Sequence, residues 1–320
     1  MKYCAGERKK VMWKLLVVGS LNMDTVLNVS KIPQRGETIL GKEISYVPGG
    51  KGANQAYAMG KLGAKVAMIG CVGADGNATK LIQNLQSVHV DTRAIQVFQK
   101  EPTGIALITV EESGENSIVV IAGANSKLTK QWIIQQQKYI EECDIVVAQL
   151  ETPLDSICTV AELAKQKGKM MLLDPAPAQK ELPLSLLKNI SILKPNETEL
   201  QILTGKPTNT EQEIVLAARE LIAKGVEKVV VTLGEKGAML VTEQEYQLFP
   251  AKKVKAVDTT AAGDAFTAGL ALKLSEGCTC EQAIPFAIKV SSIVVTRKGA
   301  QTSIPSYEEV IKVDESSTNI

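Results

Sequence analysis

Short apolar runs recur along the chain, and each is followed at once by a polar residue, a glycine or a proline. Runs this short and this free of polar residues predict strands that are buried on both faces, as in a parallel sheet. The runs lie at 15–18, 66–69, 145–150, 170–173, 190–193 and 229–233.

Segments with helical spacing of apolar positions separate most of these runs. They lie at 53–62, 76–86, 129–142, 154–167 and 211–224. The alternation predicts an α/β fold with a doubly wound, mostly parallel sheet flanked by helices. In such sheets ligands bind beyond the carboxyl ends of the strands, which is where the polar residues after each run would stand.

Two segments break the alternation, at about 22–47 and about 97–121. The first has no helical period. The second alternates over 105–110, reaches a turn at 112–116 and alternates again over 117–121, which predicts a hairpin. Together they predict a small β-layer at the sheet edge that serves as a lid over a ligand or as a dimer surface.

The chain as a whole is predicted to form one domain over 14–313, with an N-terminal extension at 1–13 and a C-terminal tail at 314–320. Segments 265–274 and 283–295 are apolar nearly all round, so we expect buried helices that pack beside the sheet.

The charge balance and the cysteine and histidine content exclude several classes of function. The chain has 36 basic and 35 acidic residues and lacks the long charged block of a nucleic-acid-binding or membrane-binding tail. The 15–18 run is too short to span a bilayer. The 6 cysteines have neither zinc-site nor disulfide-framework spacing, which favours a reducing cytoplasm, or a nucleus in a eukaryote. Since His89 is the one histidine, a general base is expected to be a carboxylate.

The segment DTTAAGD at 258–264 is the strongest candidate for chemistry. An apolar run follows it, which predicts a helix that begins near Ala262 and Gly263. Backbone N–H groups in the first turn of a helix lack internal partners and bind phosphate, and Gly263 allows an anion to approach closely. Asp264 could then act as a base beside a bound phosphate. An ordinary helix start is the alternative.

Polar residues after other strands suit a polyhydroxylated ligand. In the Gly-rich segment 48–55, Lys51 precedes a glycine, so the segment is not a P-loop, but Lys51 and Asn54 offer donors. Asn22 and Asp24 would face the same way in an extended strand, and an ionised Asp can hold two hydroxyls. Glu151 is a further acceptor. Tight turns or solvent-facing strand ends would explain these residues equally well.

Two further segments suit a nucleotide. Asn196 and Glu199 have the spacing of a helix capping box, although Asn196 could also contact a ligand and Glu199 could order the hydration shell of Mg²⁺. The segment TLGEKG at 232–237 predicts a tight turn that could cradle phosphates or ribose, with a simple β-turn as the alternative.

Taken together, the motifs resemble the phosphofructokinase-B-type family of carbohydrate kinases. They are GSLNMD, GGKGANQA, QLE, DPAP, PNETE, TLGEKG, DTTAAGD and VTRKGAQTS, in this order over 14–313. The resemblance implies the fold described above, with a β-lid that forms a homodimer. It also implies ATP-dependent phosphorylation of D-ribose at the 5-hydroxyl, which gives ribose 5-phosphate and ADP.

The resemblance assigns roles to individual positions. Asp264 matches the general base, and Ala261, Ala262 and Gly263 match the anion hole. The positions matching sugar contacts are Asn22, Asp24, Gly50, Lys51, Asn54, Glu151 and Asp264. The positions matching nucleotide contacts are Asn196, Thr232, Gly234, Gly237, Gly263 and Ile288, the last being a departure because the family often has a polar residue there.

Two ions are implied by the same resemblance. Mg²⁺ would accompany ATP, linked indirectly to Glu199. K⁺ would activate the enzyme near the anion hole, held partly by backbone carbonyls. The matching positions are Asp258, Thr260, Val294, Arg297, Gly299 and Ser303.

Other functions stay open. A related sugar or nucleoside kinase, for example one acting on 2-deoxyribose, would share these motifs. A non-catalytic sugar-binding protein would share the fold. A nicotinamide-dependent oxidoreductase is disfavoured because GxGxxG does not follow the first strand.

Overall fold

A mixed sheet of nine strands, in the order β13-β12-β11-β10-β9-β8-β1-β4-β5, forms the centre of the described part of the chain. The structure, a computed structural model, describes residues 14–113 and 115–316; the predicted extension and the end of the predicted tail lie outside them. The strands of this sheet are β1 (Leu15–Val18), β4 (Val66–Gly73), β5 (Asp91–Phe98), β8 (Ile145–Ala148), β9 (Met170–Leu173), β10 (Ile192–Leu193), β11 (Lys228–Thr232), β12 (Ala238–Val241) and β13 (Tyr246–Phe249).

Helices cover both faces of this sheet. Because side chains alternate along a strand, Leu15 and Val17 of β1 enter one hydrophobic core, and Leu16 and Val18 enter the other. The helices are α1 (Lys51–Lys61), α2 (Gly76–Ser87), α3 (Lys130–Gln135), α4 (Gln137–Glu142), α5 (Leu154–Gln166), α6 (Leu184–Leu187), α7 (Glu197–Thr204), α8 (Glu211–Ala223), α9 (Ala262–Ser275), α10 (Cys280–Val294) and α11 (Tyr307–Ser316).

The predicted doubly wound, mostly parallel sheet is confirmed. All its neighbouring strands pair in parallel except at one edge, where β11, β12 and β13 pair antiparallel. Helices α9 and α10 are buried along much of their length, as their apolar sequences predict. In the described residues, no helix is long and apolar enough to cross a membrane.

A second, four-stranded sheet has the order β3-β2-β6-β7. Its strands are β2 (Asn22–Val29), β3 (Glu43–Gly49), β6 (Gly104–Glu111) and β7 (Asn116–Ile121). The predicted hairpin over 105–121 corresponds to β6 and β7. That the sheet acts as a lid stays a prediction.

Several elements differ locally from the sequence-based predictions. The predicted helix at 129–142 is two helices, because at Gln136 the backbone N–H is shared between the carbonyls of Trp132 and Ile133. The strand predicted at 145–150 ends at Ala148, so Gln149 and Glu151 belong to a loop. Strand β5 is not one of the continuous apolar runs, since Arg93 and Gln96 interrupt its apolar pattern.

Candidate active site

Polar side chains collect at the carboxyl ends of the parallel strands, as the sheet topology predicts. Strand β1 is followed by Ser20 and Asn22, β8 by Gln149 and Glu151, and β9 by Asp174. Helix α9 starts beside them, since Asp264 in its first turn bonds to α1. Residues far apart in the chain therefore form one site.

Asp264 is a buried carboxylate of this site, with 7% exposure. Its Oδ2 accepts a hydrogen bond from Asn54 Nδ2 at 3.0 Å, and its Oδ1 accepts one from Gln55 Nε2 at 3.0 Å. Burial raises the pKa of Asp264 to about 6, although the Lys51 ammonium opposes the shift. A carboxylate with a pKa near neutrality, fixed by two donors, is suited to accept a proton.

The N-terminus of α9 has the geometry of an anion-binding site. Ala261 is the N-cap residue, has no side-chain cap and adopts the left-handed conformation at φ 60°, which is uncommon for a residue with a Cβ. Gly263 is exposed, and an added Cβ there would meet only Lys194 Nζ, at 3.6 Å. Packing therefore does not require this glycine, whereas close approach of a ligand would.

Glu151 and Asp24 present further carboxylates. Glu151 Oε2 accepts hydrogen bonds from the Ser20 hydroxyl and from Lys51 N, the latter at 3.1 Å. Burial raises the pKa of Asp24 to about 7, and the negative charges of Glu151 and Asp264 add to the shift. Glu151 and Asp264 are therefore close enough to Asp24 to disfavour its negative charge.

Lys51 balances this negative charge from the start of α1. Burial lowers the pKa of Lys51, but the carboxylates of Asp264, Asp174 and Glu151 outweigh burial and raise it above its usual value. An ammonium group held in the charged state among carboxylates can donate to hydroxyl or phosphate oxygens.

Asn22 is oriented by a residue that the sequence analysis did not identify. Asn125 Nδ2 donates to Asn22 Oδ1 at 2.8 Å, and Asn125 Oδ1 accepts from Leu21 N at 2.9 Å. Asn22 therefore has its amide N–H group available for a ligand. Gly50 lies alongside, and its φ of 85° and the 2.7 Å between an added Cβ and Asn22 N require glycine.

Asn196 and Glu199 form the capping box that their spacing predicts. Asn196 Oδ1 accepts from Glu199 N at 2.7 Å, and Glu199 Oε2 accepts from Asn196 N at 2.9 Å. Asn196 is exposed, so its amide N–H group can still reach a ligand. A carboxylate has about four acceptor sites, so Glu199 can also accept from water around a magnesium ion.

The turn that follows β11 lies next to Asn196, because Asn196 forms a parallel β-bridge with Thr232, the last residue of β11. Gly234 has φ 56° with open space around it. Gly237 has φ 105°, and an added Cβ would lie 2.0 Å from Phe249 O, so packing alone explains this glycine. Ile288 belongs to the hydrophobic core at 7% exposure; its contact with adenine stays a prediction.

Comparison with known proteins decides the family. Residues 12–307 match the pfkB family of carbohydrate kinases. The chain belongs to this family. The resemblance inferred from the motifs is thereby confirmed.

Individual relatives are similar over nearly their whole length. The chain is 42% identical to a ribokinase of Haemophilus influenzae over 93% of this chain and 97% of that one. It is 39% identical to a deoxyribokinase of Salmonella typhimurium over 92% and 96%. An Arabidopsis thaliana ribokinase complexed with ribose and ATP superposes with a TM-score of 0.90 at 35% identity, over 94% of this chain and 98% of that one.

The positions that the pfkB family resemblance assigned to K⁺ lie in two segments, 258–260 and 294–303, which are connected by hydrogen bonds from Gly299 N to Asp258 Oδ2 and from Asp258 N to Val295 O. Asp258 Oδ1 accepts from Thr260 N at 2.9 Å and from Thr260 Oγ1 at 2.6 Å, while Asp258 Oδ2 accepts from Gly299 N at 2.8 Å. These donors lower the pKa of Asp258, despite its partial burial. The carbonyl of Val294 lies at the C-terminal end of α10, where the helix dipole favours a cation.

Arg297 and Ser303, which also belong to the positions assigned to K⁺, differ in the oxygen atoms that they could offer to a cation. The guanidinium of Arg297 pairs with Glu309 at 2.7 Å, so only its carbonyl is suited to be a cation ligand. The hydroxyl of Ser303 donates to Ala300 O at 2.6 Å, which leaves its lone pairs available. The oxygen-rich surroundings fit a monovalent cation.

A buried polar network beneath Asp264 was missed by the sequence analysis. Gln149 Nε2 donates to Gln55 Oε1 at 2.6 Å, and Gln55 Nε2 donates to Asp174 Oδ2 at 2.9 Å. Asp174 also pairs with Lys194 at 3.2 Å. The motifs contain Gln55, Gln149 and Asp174, but not Lys194. For Gln149, Asp174 and Lys194, only their position after buried strands could have indicated a shared site.

Proposed function

We propose that the chain is an ATP-dependent kinase that phosphorylates D-ribose at its 5-hydroxyl and releases ribose 5-phosphate and ADP. The observation that carries the proposal is the Asp264 carboxylate, buried and held by two amide donors, in the first turn of a helix whose N-terminus has no side-chain cap. A base and an anion hole are thereby adjacent, as phosphoryl transfer requires.

The acceptor side, which we define as Asn22, Asp24, Gly50, Lys51, Asn54 and Glu151, would bind the sugar. The Asp24 and Glu151 carboxylates would accept hydrogen bonds from ribose hydroxyls, and the Asn22 and Lys51 side chains would donate. Side chains with opposed donor and acceptor roles fix the orientation of a polyhydroxylated ring, so that the 5-hydroxyl faces Asp264.

Asp264 would then take the proton of the 5-hydroxyl as the oxygen attacks the terminal phosphorus of ATP. The N–H groups of Ala261 and Gly263 would stabilise the negative charge on the transferred group, because they are fixed in place before the reaction. The N–H group of Ala262 would contribute while it also donates to Thr259 O. Mg²⁺ bound with ATP would neutralise charge on the phosphates. Glu199 would hold water of its hydration shell.

The donor side, which we define as Asn196, Glu199, Thr232, Gly234 and Gly237, would bind the nucleotide together with Gly263 and Ile288. The exposed turn around Gly234 can approach a ribose or phosphate without steric hindrance. K⁺ would be held by Asp258, Thr260, Val294, Arg297, Gly299 and Ser303. Ordering this loop would fix the start of α9, since Thr259 O accepts from Ala262 N.

A homodimer in the cytoplasm completes the proposal. On β7 of the small sheet, Ile118, Val119, Val120 and Ile121 are all about half exposed, and an apolar strand of this kind is a typical protein contact. The described cysteines are free, which suits a reducing compartment.

The first test is ADP release with MgATP and ribose, in potassium and then with sodium in its place. Ribose-dependent turnover that falls in sodium is expected. Absence of turnover with ribose in potassium, from a protein shown to be folded, would reject the ribose assignment.

A second candidate substrate is 2-deoxyribose, because a deoxyribokinase relative is 39% identical. Asp24 favours ribose, since an ionised carboxylate can accept from two neighbouring hydroxyls. Measurement of kcat/KM for both sugars distinguishes them, and a preference for deoxyribose would overturn the assignment.

A further inference from the structure

A buried ion pair lies beside the anion hole and has no role in the function proposed so far. Lys194 Nζ is 3.2 Å from Asp174 Oδ2, and each side chain is only 4% exposed. Asp174 directly follows β9, and Lys194 directly follows β10. Both residues therefore stand where parallel strands end and ligands bind.

The ammonium of Lys194 faces the first turn of α9. A Cβ added to Gly263 would lie 3.6 Å from Lys194 Nζ, so the cation approaches the backbone that would receive the transferred phosphoryl group. Thr267, one turn further along α9, donates to Gly263 O at 3.0 Å and lies 3.5 Å from Asp174 Oδ2. The helix start and the ion pair are thus held together.

The same pair is connected to the base. Gln55 Nε2 donates both to Asp174 Oδ2 at 2.9 Å and to Asp264 Oδ1 at 3.0 Å. Gln149 donates to Gln55 Oε1 at 2.6 Å and so fixes the orientation of the Gln55 amide. One amide group therefore links the carboxylate that holds Lys194 to the carboxylate that would accept the proton.

The ion pair is not saturated within the described residues. Asp174 Oδ1 is buried and has no hydrogen-bond partner among them. Burying two charges is costly unless their remaining hydrogen-bonding capacity is satisfied, and buried polar atoms are nearly always paired. A pair kept only for stability would be expected to be better satisfied than this one.

We propose that Lys194 contacts the transferred phosphoryl group, and that Asp174 is a positioning residue that holds the ammonium against Gly263. This inference rests on the proposed kinase function. The bond from the acceptor oxygen to the terminal phosphorus forms, the bond from that phosphorus to the bridging oxygen breaks, ADP leaves and Asp264 takes the proton. Lys194 keeps its own proton and only offsets negative charge on the transferred group.

The test compares Lys194→Met with wild type in kinetics and in binding. Removing a donor aimed at charge that develops in the reaction costs about 100-fold in kcat, so we expect that loss, with KM for ribose changed less than about threefold. In calorimetry with Mg²⁺, affinity for the non-hydrolysable ATP analogue AMP-PNP should fall at least about 10-fold. Affinity for ADP, which lacks the transferred group, should stay nearly unchanged.

The matched control is Lys14→Met, since Lys14 and Asp144 form an exposed ion pair at 2.9 Å far from the site. Asp174→Asn should lower kcat less than Lys194→Met does. The variant with both substitutions should be no slower than Lys194→Met alone, because both substitutions act on the same contact with the phosphoryl group. The double variant also removes both buried charges, so it can be tested if the single variants fold poorly.

Three results would overturn the inference. They are a wild-type kcat in Lys194→Met, an equal loss of affinity for AMP-PNP and ADP, and strictly additive effects of the two substitutions. If wild type fails to phosphorylate ribose, the proposed substrate is wrong, yet the ratio of AMP-PNP to ADP affinity still tests Lys194 independently.

Discussion

The acceptor side and the donor side of the site are built from different kinds of contact. On the acceptor side, Asn54 bonds to Asp264 across 210 positions of sequence, and the negative charges of Glu151 and Asp264 add to the burial that raises the pKa of Asp24. On the donor side, Asn196 and Glu199 bond to each other three positions apart. The carboxylates of Glu151 and Asp264 repel the negative charge on Asp24 and so lower stability, whereas the donor-side capping box stabilises helix α7. Substitutions on the acceptor side should therefore affect catalysis, and substitutions on the donor side should affect the stability of the helix.

The largest expected effect comes from Asp264→Asn. Asn is nearly isosteric but cannot accept the proton, and it would offer an N–H group to donors that now bond to a carboxylate. We expect kcat to fall about 1000-fold or more, with the fold retained. Steady-state ADP release measures this, with Asp144→Asn at the exposed pair as control. A kcat within tenfold of wild type would remove Asp264 as the base.

The same contrast explains which parts of the molecule could be predicted from sequence. The continuous apolar runs predicted β1 and β9 at their observed bounds, and the capping box at Asn196 is present, because both depend on neighbouring residues. The β12–β13 hairpin and β5 were not among the predicted runs. Strands β5 and β13 are edge strands with an interrupted apolar pattern, whereas β12 is a short apolar strand that is fully buried. Gln55 stands in the motif GGKGANQA, which did not by itself predict a role for its side chain.

Long-range partners explain the rest of what was missed. Gln55 contacts Asp174 at a separation of 119 positions, and Asn125 contacts Asn22 at 103. A sequence without its fold places Gln55 in a helix and Asp174 after a strand, but it does not say which amide faces which carboxylate. That orientation decides whether a group donates or accepts, and therefore what the acceptor side can bind.

Asp24→Asn should raise KM for ribose about 100-fold, which corresponds to roughly 3 kcal/mol for charge-assisted hydrogen bonds to a ligand. kcat should change much less. Initial rates over a wide ribose range measure both. An unchanged KM would place Asp24 outside the sugar site and remove the distinction between the two sides.

The same variant should be more stable than wild type. The folded protein raises the pKa of Asp24, so it binds this proton more tightly than the unfolded chain does. Its contribution to stability is therefore present at low pH and is lost as pH rises through about 7. Asp24→Asn should raise Tm at pH 8 and have little effect near pH 4. Lower stability at pH 8 would contradict this account.

The pH dependence of wild type follows from the same groups. Because Asp24 and Asp264 have pKa values of about 7 and about 6 and act when ionised, kcat/KM for ribose should fall about 20-fold from pH 8 to pH 6. In Asp24→Asn, the part of the pH profile that reflects ionisation of Asp24 at about pH 7 should disappear. A flat profile in wild type would show that neither carboxylate needs to be ionised.

Asn196→Ala tests the donor side and should have the smallest effect on activity. Loss of the N-cap should cost about 1 kcal/mol of stability. Loss of one hydrogen bond to the nucleotide should raise KM for ATP about threefold to fivefold. Thr210→Ala is the matched control, because Thr210 and Glu213 form the same capping box at the start of α8, so it should lower stability alike without changing KM for ATP.

Asn196→Ser separates the two roles of Asn196. Serine is a good N-cap. It lacks the side-chain amide N–H group of Asn196, which takes no part in the hydrogen bond from Glu199 N to Asn196 Oδ1. We therefore expect stability to return to the wild-type value while KM for ATP stays raised. Full recovery of KM would mean that Asn196 acts only as a helix cap, and that the donor side binds the nucleotide through the backbone of its turn and not through this side chain.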